Sequence, residues 1–211
     1  MNVKLISITP KAEELIAYCA RVSSNNQNNP EIKKLLKYCV KHGHWSIFEQ
    51  ASMTVEIRCP MAISVQILRH RSFCFQQFSK RYQKITKDDF YLPEIRLQDS
   101  RNRQNSIELE DNSLEEIYQE EINVLYGKIL DLYEKMLDDN IAKECARFIL
   151  PEGIMTKMYM TGNIRSFIHY LEVRKGEGTQ KEHRQIALEI DQIFKEQCPI
   201  IWDAVNDQHL K

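Results

Sequence analysis

The chain has 211 residues, of which 43% are hydrophobic and 28% are charged. These proportions are those of an ordinary globular protein, and they exclude a collagen-like, low-complexity or wholly disordered chain. The 29 basic and 30 acidic residues leave a net charge of −1, which argues against a globally basic nucleic-acid or membrane binder.

The sequence contains no recognisable targeting signal, membrane span, metal-binding cysteine pair or phosphate-binding loop. No apolar run approaches the roughly 20 residues that cross a bilayer, and no signal pattern opens the chain, so we expect a cytoplasmic protein without a membrane partner. The six cysteines contain no C-x-x-C pair, which favours reduced thiols and no metal site. The six glycines form no phosphate-binding loop, so a bound nucleotide would be held by side chains and helix ends.

The first part of the chain predicts helices around one strand. Thr9 and Pro10 are typical of a helix N-cap and first turn. A second helix is expected to begin at Asn29–Pro30 and to end at a left-handed Gly43. Alternating apolar residues over 52–58 predict a half-buried strand, and Pro60 then opens a helix through Leu68.

The middle of the chain predicts an exposed segment and then a long helix. Residues 88–121 are polar and acidic, which indicates a surface excursion. Apolar residues at three- and four-residue steps over 117–136 predict an amphipathic helix of the kind that packs across a domain or subunit interface. A shorter helix follows over 142–150. Residues 154–161 fit a strand, although their methionines equally suit a buried helical turn.

The last part of the chain predicts three helices. Asn163 is expected to cap a helix whose polar side carries Arg165, His169 and Glu172. Further helices are expected over 180–197 and 199–208. The whole pattern predicts one α+β domain over 1–211, with a mixed sheet flanked by helices and one long interface helix.

The most unusual segment is 57–87, which has seven basic residues and no acidic one. Its centre, RHRSFCFQQFSKRY at 69–82, indicates a local anion site, because arginine forks donate paired hydrogen bonds to phosphate. The alternatives are a solvated basic face or a nucleic-acid patch whose phenylalanines stack on bases.

Two weaker clusters carry titratable side chains. The segment GHWSIFEQ at 43–50 contains His44, Ser46 and Glu49, although a histidine beside a tryptophan is more often a packing residue. The other cluster contains arginines and a histidine that only tertiary structure could bring together, namely Arg147, Arg165, His169 and Arg174, with Asn163. Taken alone, it equally suits a solvated helix face.

The order of these motifs resembles the flavin-dependent thymidylate synthases. The signature R-H-R-x7-S occupies 69–79, followed by R81 and Y82. Further blocks stand in the family's order at similar separations: ARVS at 20–23, H-x-S-x-F-E at 44–49, QILRHR at 66–71, ARFILP at 146–151, N-x-R-S at 163–166 and R-x5-Q at 174–180.

The resemblance implies synthesis of dTMP from dUMP. In this family 5,10-methylenetetrahydrofolate gives the carbon, FAD gives the hydride after reduction by NADPH, and no enzyme nucleophile adds to uracil. The resemblance also implies a homotetramer whose sites are built from several subunits, and it argues against a nucleic-acid partner.

The resemblance further implies roles for residues at matching motif positions. Residues implied to contact dUMP are Gln66, Arg69, Gln77, Ser79, Lys80 through its backbone, Arg81, Arg147 and Arg174. Residues implied to contact FAD are Ser23, Ser46, Glu49, Arg69, His70, Arg71, Gln77, Asn163, Arg165 and His169. Arg174 and His44 are the catalytic candidates. Arg174 would stabilise negative charge developing in the uracil ring, and His44 would line the pocket.

The sequence departs from the family pattern at several positions. Cys74 stands where serine is common, and Gln77 where glutamate is common. His169 replaces an amide side chain, and Gly178 a histidine. Two alternatives stay open: a Cys74 thiolate that adds to C6 of uracil, or a nucleotide- or nucleic-acid-binding homologue in which Gln77 has altered or abolished turnover.

Overall fold

A computed structural model describes residues 1–209 of the chain. Its strands are β1 (Asn2–Ile8), β2 (Ser52–Pro60), β3 (Cys74–Gln77), β4 (Leu97–Gln98), β5 (Ser106–Ile107) and β6 (Met155–Asn163). Its α-helices are α1 (Ala12–Ala20), α2 (Lys33–Lys41), α3 (Met61–Ile67), α4 (Ser113–Asp138), α5 (Lys143–Ala146), α6 (Ile164–Arg174), α7 (Lys181–Gln197) and α8 (Pro199–His209). Short 3₁₀ helices span Trp45–Glu49, Lys87–Asp89 and Arg147–Ile149. The prediction of an α+β fold is confirmed.

The contacts between residues divide the chain into two compact units. Unit 1 contains Met1–Ile57, Leu68–Gln76 and the chain from Tyr159 onward, and unit 2 contains Arg58–Ile67 and Gln77–Met158. The single-domain description therefore stays a prediction. Among residues 1–209, no helix combines the length and apolar composition that a membrane span requires.

The larger sheet of the fold has four strands in the order β1-β2-β6-β3. The alternation predicted over 52–58 is confirmed, because Met53, Val55 and Ile57 are buried while their neighbours are partly or fully exposed. The strand predicted over 154–161 is β6, so its methionines do not form a helical turn. Strand β1 was not predicted from the sequence.

The predicted start of the first helix is wrong. Helix α1 begins at Ala12 after Lys11, which has a left-handed φ of 51° and provides no side-chain cap. Thr9 is hydrogen-bonded instead to Ser52 through both its backbone and its hydroxyl, so its side chain is not available as a cap. Helix α2 likewise begins at Lys33, later than predicted, whereas the left-handed Gly43 beyond its end is confirmed with φ of 68°.

Unit 2 contains the long helix predicted from the apolar period over 117–136. Helix α4 has 26 residues, and Tyr133 is its buried residue. Tyr133 packs in a core with Ile85, Ala146 and Ile154. The polar segment before α4 is mainly exposed, and the antiparallel pair β4–β5 forms a short hairpin within it.

The buried hydroxyl of Tyr133 leads to a prediction about stability. The ring is 0% exposed, and within residues 1–209 its Oη atom has no hydrogen-bond partner. Because an unsatisfied buried hydroxyl is costly, we expect Tyr133→Phe to raise the free energy of unfolding by about 1 kcal/mol. Urea unfolding with an unchanged m-value would measure the gain. A loss of stability would show that the hydroxyl is bonded in solution.

Candidate active site

Helix α6 packs against the first part of the basic motif, within residues 69–76 of unit 1. The Asn163 side chain accepts a hydrogen bond of 2.8 Å from the backbone of Ser166, which confirms the predicted N-cap. The Ser166 hydroxyl donates to the carbonyl of Ser72, 3.2 Å away. The Phe73 ring packs edge-on against Phe167 at 5.0 Å between centroids. The segment after R-H-R is therefore fixed on α6.

Glycine is required where this segment lies closest to β6. A Cβ atom at Gly162 would come within 2.5 Å of the Phe73 ring, closer than any real side chain allows. The Phe73 side chain is 7% exposed, so it has little room to move away. The missing side chain at Gly162 thus allows the motif to approach the strand.

The motif and the last turn of α6 are joined by one hydrogen bond. Arg174 Nε donates to His70 Nε2 over 2.9 Å, across 104 positions of sequence. Burial, reinforced by the Arg174 charge, lowers the pKa of His70. The ring is therefore neutral at pH 7, and its proton lies on Nδ1 so that Nε2 can accept. The bond uses one of five guanidinium N–H donors and leaves the terminal nitrogens for other partners.

The two arginines of the R-H-R motif, Arg69 and Arg71, have no partner among the described residues. Arg69 and Arg71 are exposed, and neither guanidinium makes a hydrogen bond or salt bridge within the part of the chain that the structure describes. They give the surface of this segment an excess of positive charge, because residues 57–87 include no acidic side chain. Such a surface attracts anions, phosphates among them.

Parts of the two weaker sequence clusters meet in unit 1, whereas Arg147 lies in unit 2. Arg165 forms an ion pair of 2.5 Å with Glu49, and the His169 ring lies edge-on to Trp45 at 5.1 Å. His169 Nδ1 also lies 3.1 Å from a Glu172 carboxylate oxygen. The polar side of α6 therefore packs on the 3₁₀ helix Trp45–Glu49, as sequence spacing alone could not have shown.

The remaining candidates of unit 1 lie at the surface. His44 and Ser46 are exposed at the start of the 3₁₀ helix, and His44 approaches Tyr38 edge-on at 5.8 Å. Ser23 is exposed in the turn after α1. Among the described residues, no hydrogen bond or ion pair joins Ser23 to the other candidates.

Unit 2 contains a second cationic cluster. Burial, together with the Arg147 charge, lowers the pKa of Lys80 to about 8, against an opposing effect of Asp89. The exposed Arg147 guanidinium makes no hydrogen bond or salt bridge among residues 1–209. Two close cations without a strong counter-charge would gain by binding an anion, which would raise the Lys80 pKa again.

The other candidates of unit 2 surround this cluster. Ser79 is half-buried, and its hydroxyl accepts from the backbone of Arg81 over 3.4 Å. The Arg81 guanidinium forms an exposed ion pair of 3.2 Å with Glu144. Gln66 lies on α3 and is half-buried. No group of three or more metal-ligating side chains occurs in the described part of the chain.

Gln77, which replaces the common glutamate, is a hydrogen-bond donor inside unit 2. Its amide nitrogen lies 3.1 Å from the Ser64 hydroxyl and 3.2 Å from the Thr156 hydroxyl. Both partners are almost fully buried, at 0% and 3% exposure. The Ser64 hydroxyl donates its own hydrogen to the Met61 carbonyl over 2.9 Å. This arrangement requires a donor at position 77, which an ionised glutamate cannot supply.

We therefore expect Gln77→Glu to destabilise the protein. A carboxylate would face the lone pairs of Ser64, which should lower the free energy of unfolding at pH 7 by about 1–3 kcal/mol. The same environment would raise the pKa of the new carboxyl, so the loss should shrink as pH falls toward 4 and grow as pH rises. Urea unfolding at several pH values measures this dependence.

The neighbouring Gln76 provides a matched control, because its side chain is exposed. Gln76→Glu adds the same charge one residue away and should change the stability by less than about 0.5 kcal/mol. If the two substitutions lowered the stability equally, the hydrogen bonds of Gln77 with Ser64 and Thr156 would have no specific role.

Sequence reasoning did not single out Tyr170 and His183, which lie beside His70. The Tyr170 ring is 4.9 Å from the His70 ring, and its hydroxyl is 3.1 Å from His183 Nε2. Burial is the main cause that lowers the pKa of His183 to about 4. The available signal was a histidine at an apolar position of α7, which is usually a core residue.

Comparisons with known proteins agree with this arrangement. A family model described as thymidylate synthase complementing protein matches residues 4–200. A flavin-dependent thymidylate synthase of Synechocystis sp. is 48% identical, over 98% of this chain and 100% of that protein. A probable flavin-dependent thymidylate synthase of Paramecium bursaria Chlorella virus 1 is 46% identical, over 98% and 99% of the two chains.

A solved structure is similar in fold. The crystal structure of a UMP/dUMP methylase, PolB, from Streptomyces cacaoi bound with 5-Br dUMP superimposes with a TM-score of 0.87. The match covers 98% of this chain and 94% of that chain at 24% identity. At this identity the likeness shows the fold alone.

Proposed function

The chain belongs to the thymidylate synthase complementing protein family, and from this premise we propose that it converts dUMP to dTMP. It is a flavin-dependent enzyme of the methyltransferase class. We propose further that 5,10-methylenetetrahydrofolate donates the carbon and that NADPH is the reductant.

The observation that supports this proposal best is the hydrogen bond from Arg174 to His70. It joins two motif blocks and presents an oriented guanidinium beside a neutral histidine. In the proposed reaction Arg174 holds the O2/N3 edge of uracil and stabilises the negative charge that develops in the ring. Because this charge is delocalised, the planar fork of arginine suits it better than a point charge.

The cationic residues fit an anionic cofactor and substrate. We propose that Arg69, Arg71 and His70 of unit 1 contact FAD, together with Arg165, Asn163, His169, Ser23, Ser46 and Glu49. When bound, the flavin supplies the hydride, and the protein supplies charge and orientation. The unpaired guanidinium groups of Arg69 and Arg71 are suited to flavin phosphates or to an anionic reduced ring.

The dUMP contacts are assigned to both units. Arg69 and Arg174 come from unit 1, and unit 2 provides Gln66, Gln77, Ser79, Lys80, Arg81 and Arg147. We propose that several copies of the chain build each site within a homotetramer. The cluster of Lys80 and Arg147 suits the phosphate, since it combines two positive charges.

The long helix α4 supports the proposed assembly. Apolar side chains along it are about half exposed, namely Leu114, Ile117, Tyr118, Val124, Leu125 and Leu132. Such a contiguous apolar stripe is expected where a helix packs against another subunit.

The test is release of tritium from dUMP labelled at C5 in the presence of 5,10-methylenetetrahydrofolate, measured with and without FAD and NADPH. We expect release only when both are present, since the hydrogen at C5 must leave as the carbon is attached. Protein that binds neither FAD nor dUMP would refute the proposal. Protein that binds dUMP but releases no tritium would favour the non-catalytic alternative.

Cys74 tests the remaining mechanistic alternative. Its thiol is exposed at the start of β3, so a nucleophilic route is not excluded by burial. We expect Cys74→Ser to keep tritium release within about threefold of the parent, because the proposed reaction uses no enzyme nucleophile. A loss of several orders of magnitude would support thiolate addition instead.

A further inference from the structure

Four side chains of unit 1 form a continuous series of contacts from the core to the candidate site. His183 of α7 lies 3.1 Å from the hydroxyl of Tyr170 through its Nε2 atom. The Tyr170 ring lies edge-on to the His70 ring, with centroids 4.9 Å apart. His70 in turn accepts the 2.9 Å hydrogen bond from Arg174.

The inner half of this series is almost completely buried. His183 is 0% exposed and Tyr170 is 2% exposed. A buried tyrosine–histidine pair costs more to desolvate than apolar side chains of the same size. Because apolar side chains of the same size would pack at lower cost, the pair fits a role beyond packing.

The Tyr170 ring can fix the orientation of the His70 ring. An edge-on aromatic contact fixes the plane of a ring only if the neighbouring ring is itself fixed. The Tyr170 ring is held at its hydroxyl by His183, and it lies one helical turn before Arg174 on α6. The His70 plane then determines where Nε2 points and hence where the guanidinium lies.

We propose that His183 and Tyr170 are positioning residues, which orient His70 so that Arg174 presents its terminal nitrogens to the uracil of dUMP. This inference rests on the proposed function. It adds that a residue assigned to FAD, His70, and a residue assigned to dUMP, Arg174, are oriented by the same buried pair. Neither His183 nor Tyr170 touches a ligand in this scheme.

Three variants test the hydrogen bond between the pair. Tyr170→Phe removes only the hydroxyl, and His183→Leu removes the ring nitrogens but keeps an apolar side chain. His183→Gln restores a polar group that reaches a similar position to Nε2. Tyr133→Phe is the matched control, because it removes a buried hydroxyl that has no partner within residues 1–209. The dissociation constant of dUMP is measured by its perturbation of the flavin absorbance, on protein fully loaded with FAD.

We expect Tyr170→Phe and His183→Leu each to weaken dUMP binding about tenfold. The double variant should be no weaker than the weaker single variant, because both changes remove the same hydrogen bond. His183→Gln and Tyr133→Phe should bind dUMP within about twofold of the parent protein.

A packing role would give a different result, since leucine should then be tolerated at least as well as glutamine. Parent-like binding by both Tyr170→Phe and His183→Leu, or His183→Gln no better than His183→Leu, would overturn the inference. If His183→Leu fails to fold, Tyr170→Phe and His183→Gln still decide the question. Failure of the parent protein itself to bind FAD or dUMP would instead refute the proposed function.

Discussion

Replacing Arg174 with lysine is expected to lower kcat/KM for dUMP by about a hundredfold or more, as removal of one charge-stabilising donor does in other enzymes. Lysine keeps the positive charge but has no Nε–H to donate to His70, and it has no planar fork. The variant therefore tests geometry rather than charge. Initial rates of tritium release over a range of dUMP concentrations give the ratio.

Two further measurements separate the causes of such a loss. A fall in kcat with little change in the dissociation constant of dUMP would show that Arg174 stabilises the negative charge that develops in the ring during the reaction. A rise in the dissociation constant with unchanged kcat would assign Arg174 to ground-state binding. Flavin content should be measured in parallel, because His70 loses its partner.

Arg58→Lys is the control for this substitution. Arg58 is exposed and lies 3.9 Å from Asp89 in a weak surface ion pair, so the change should have less than a twofold effect on kcat/KM. An Arg174→Lys protein that keeps a third or more of the parent activity would contradict the role proposed for Arg174.

The second large effect expected is a loss of stability in mild acid that depends on His183. Burial in the folded state, together with the charge of Arg174, lowers the pKa of His183 from 6.5 to about 4. Between these pH values the unfolded chain binds a proton that the folded chain does not, so the free energy of unfolding falls as pH falls. A lowering of this size corresponds to about 3 kcal/mol.

His70 should contribute in the same direction, because its pKa is also lowered by burial and by Arg174. Acidic side chains also make the free energy of unfolding depend on pH, and they do so equally in parent and variant. The contribution of His183 is therefore the difference between the two proteins in how this free energy changes with pH. In His183→Gln the loss between about pH 6.5 and 4 should be smaller by about 3 kcal/mol. Urea unfolding at half-unit pH steps measures it.

His42→Gln serves as the comparison, since His42 is exposed at the end of α2. It should retain the parent's dependence on pH. Identical pH dependence in His183→Gln and the parent would show that His183 is not buried as a neutral ring.

Parts of the fold that depend on local chemistry could be predicted from the sequence. Asn163 caps α6 because its short side chain reaches a backbone N–H three residues on, and Gly43 adopts the left-handed conformation that ends α2. A strand buries every second side chain and a helix buries side chains three or four positions apart, so the spacing of apolar residues predicted β2 and α4. Motif order alone likewise indicated the family.

Other features depended on partners remote in sequence. Thr9 is a good N-cap by type, but Ser52 of β2 binds it, and no local rule could anticipate that competition. In the sequence, Gln77 is only a departure from the family pattern. The structure shows that its amide nitrogen donates to Ser64 and Thr156, which the sequence could not indicate. The single-domain description and the homotetramer stay predictions.

The sequence by itself determined β2, the long helix α4, the N-cap of α6, the excess of positive charge over 57–87 and the family of this protein. Only the tertiary structure showed that Arg174 donates to His70, and that the buried Tyr170–His183 pair contacts His70 through the Tyr170 ring. The physical reason is that periodicity and capping act over a few residues, whereas the orientation of a guanidinium is set by whichever groups the fold places within hydrogen-bond distance.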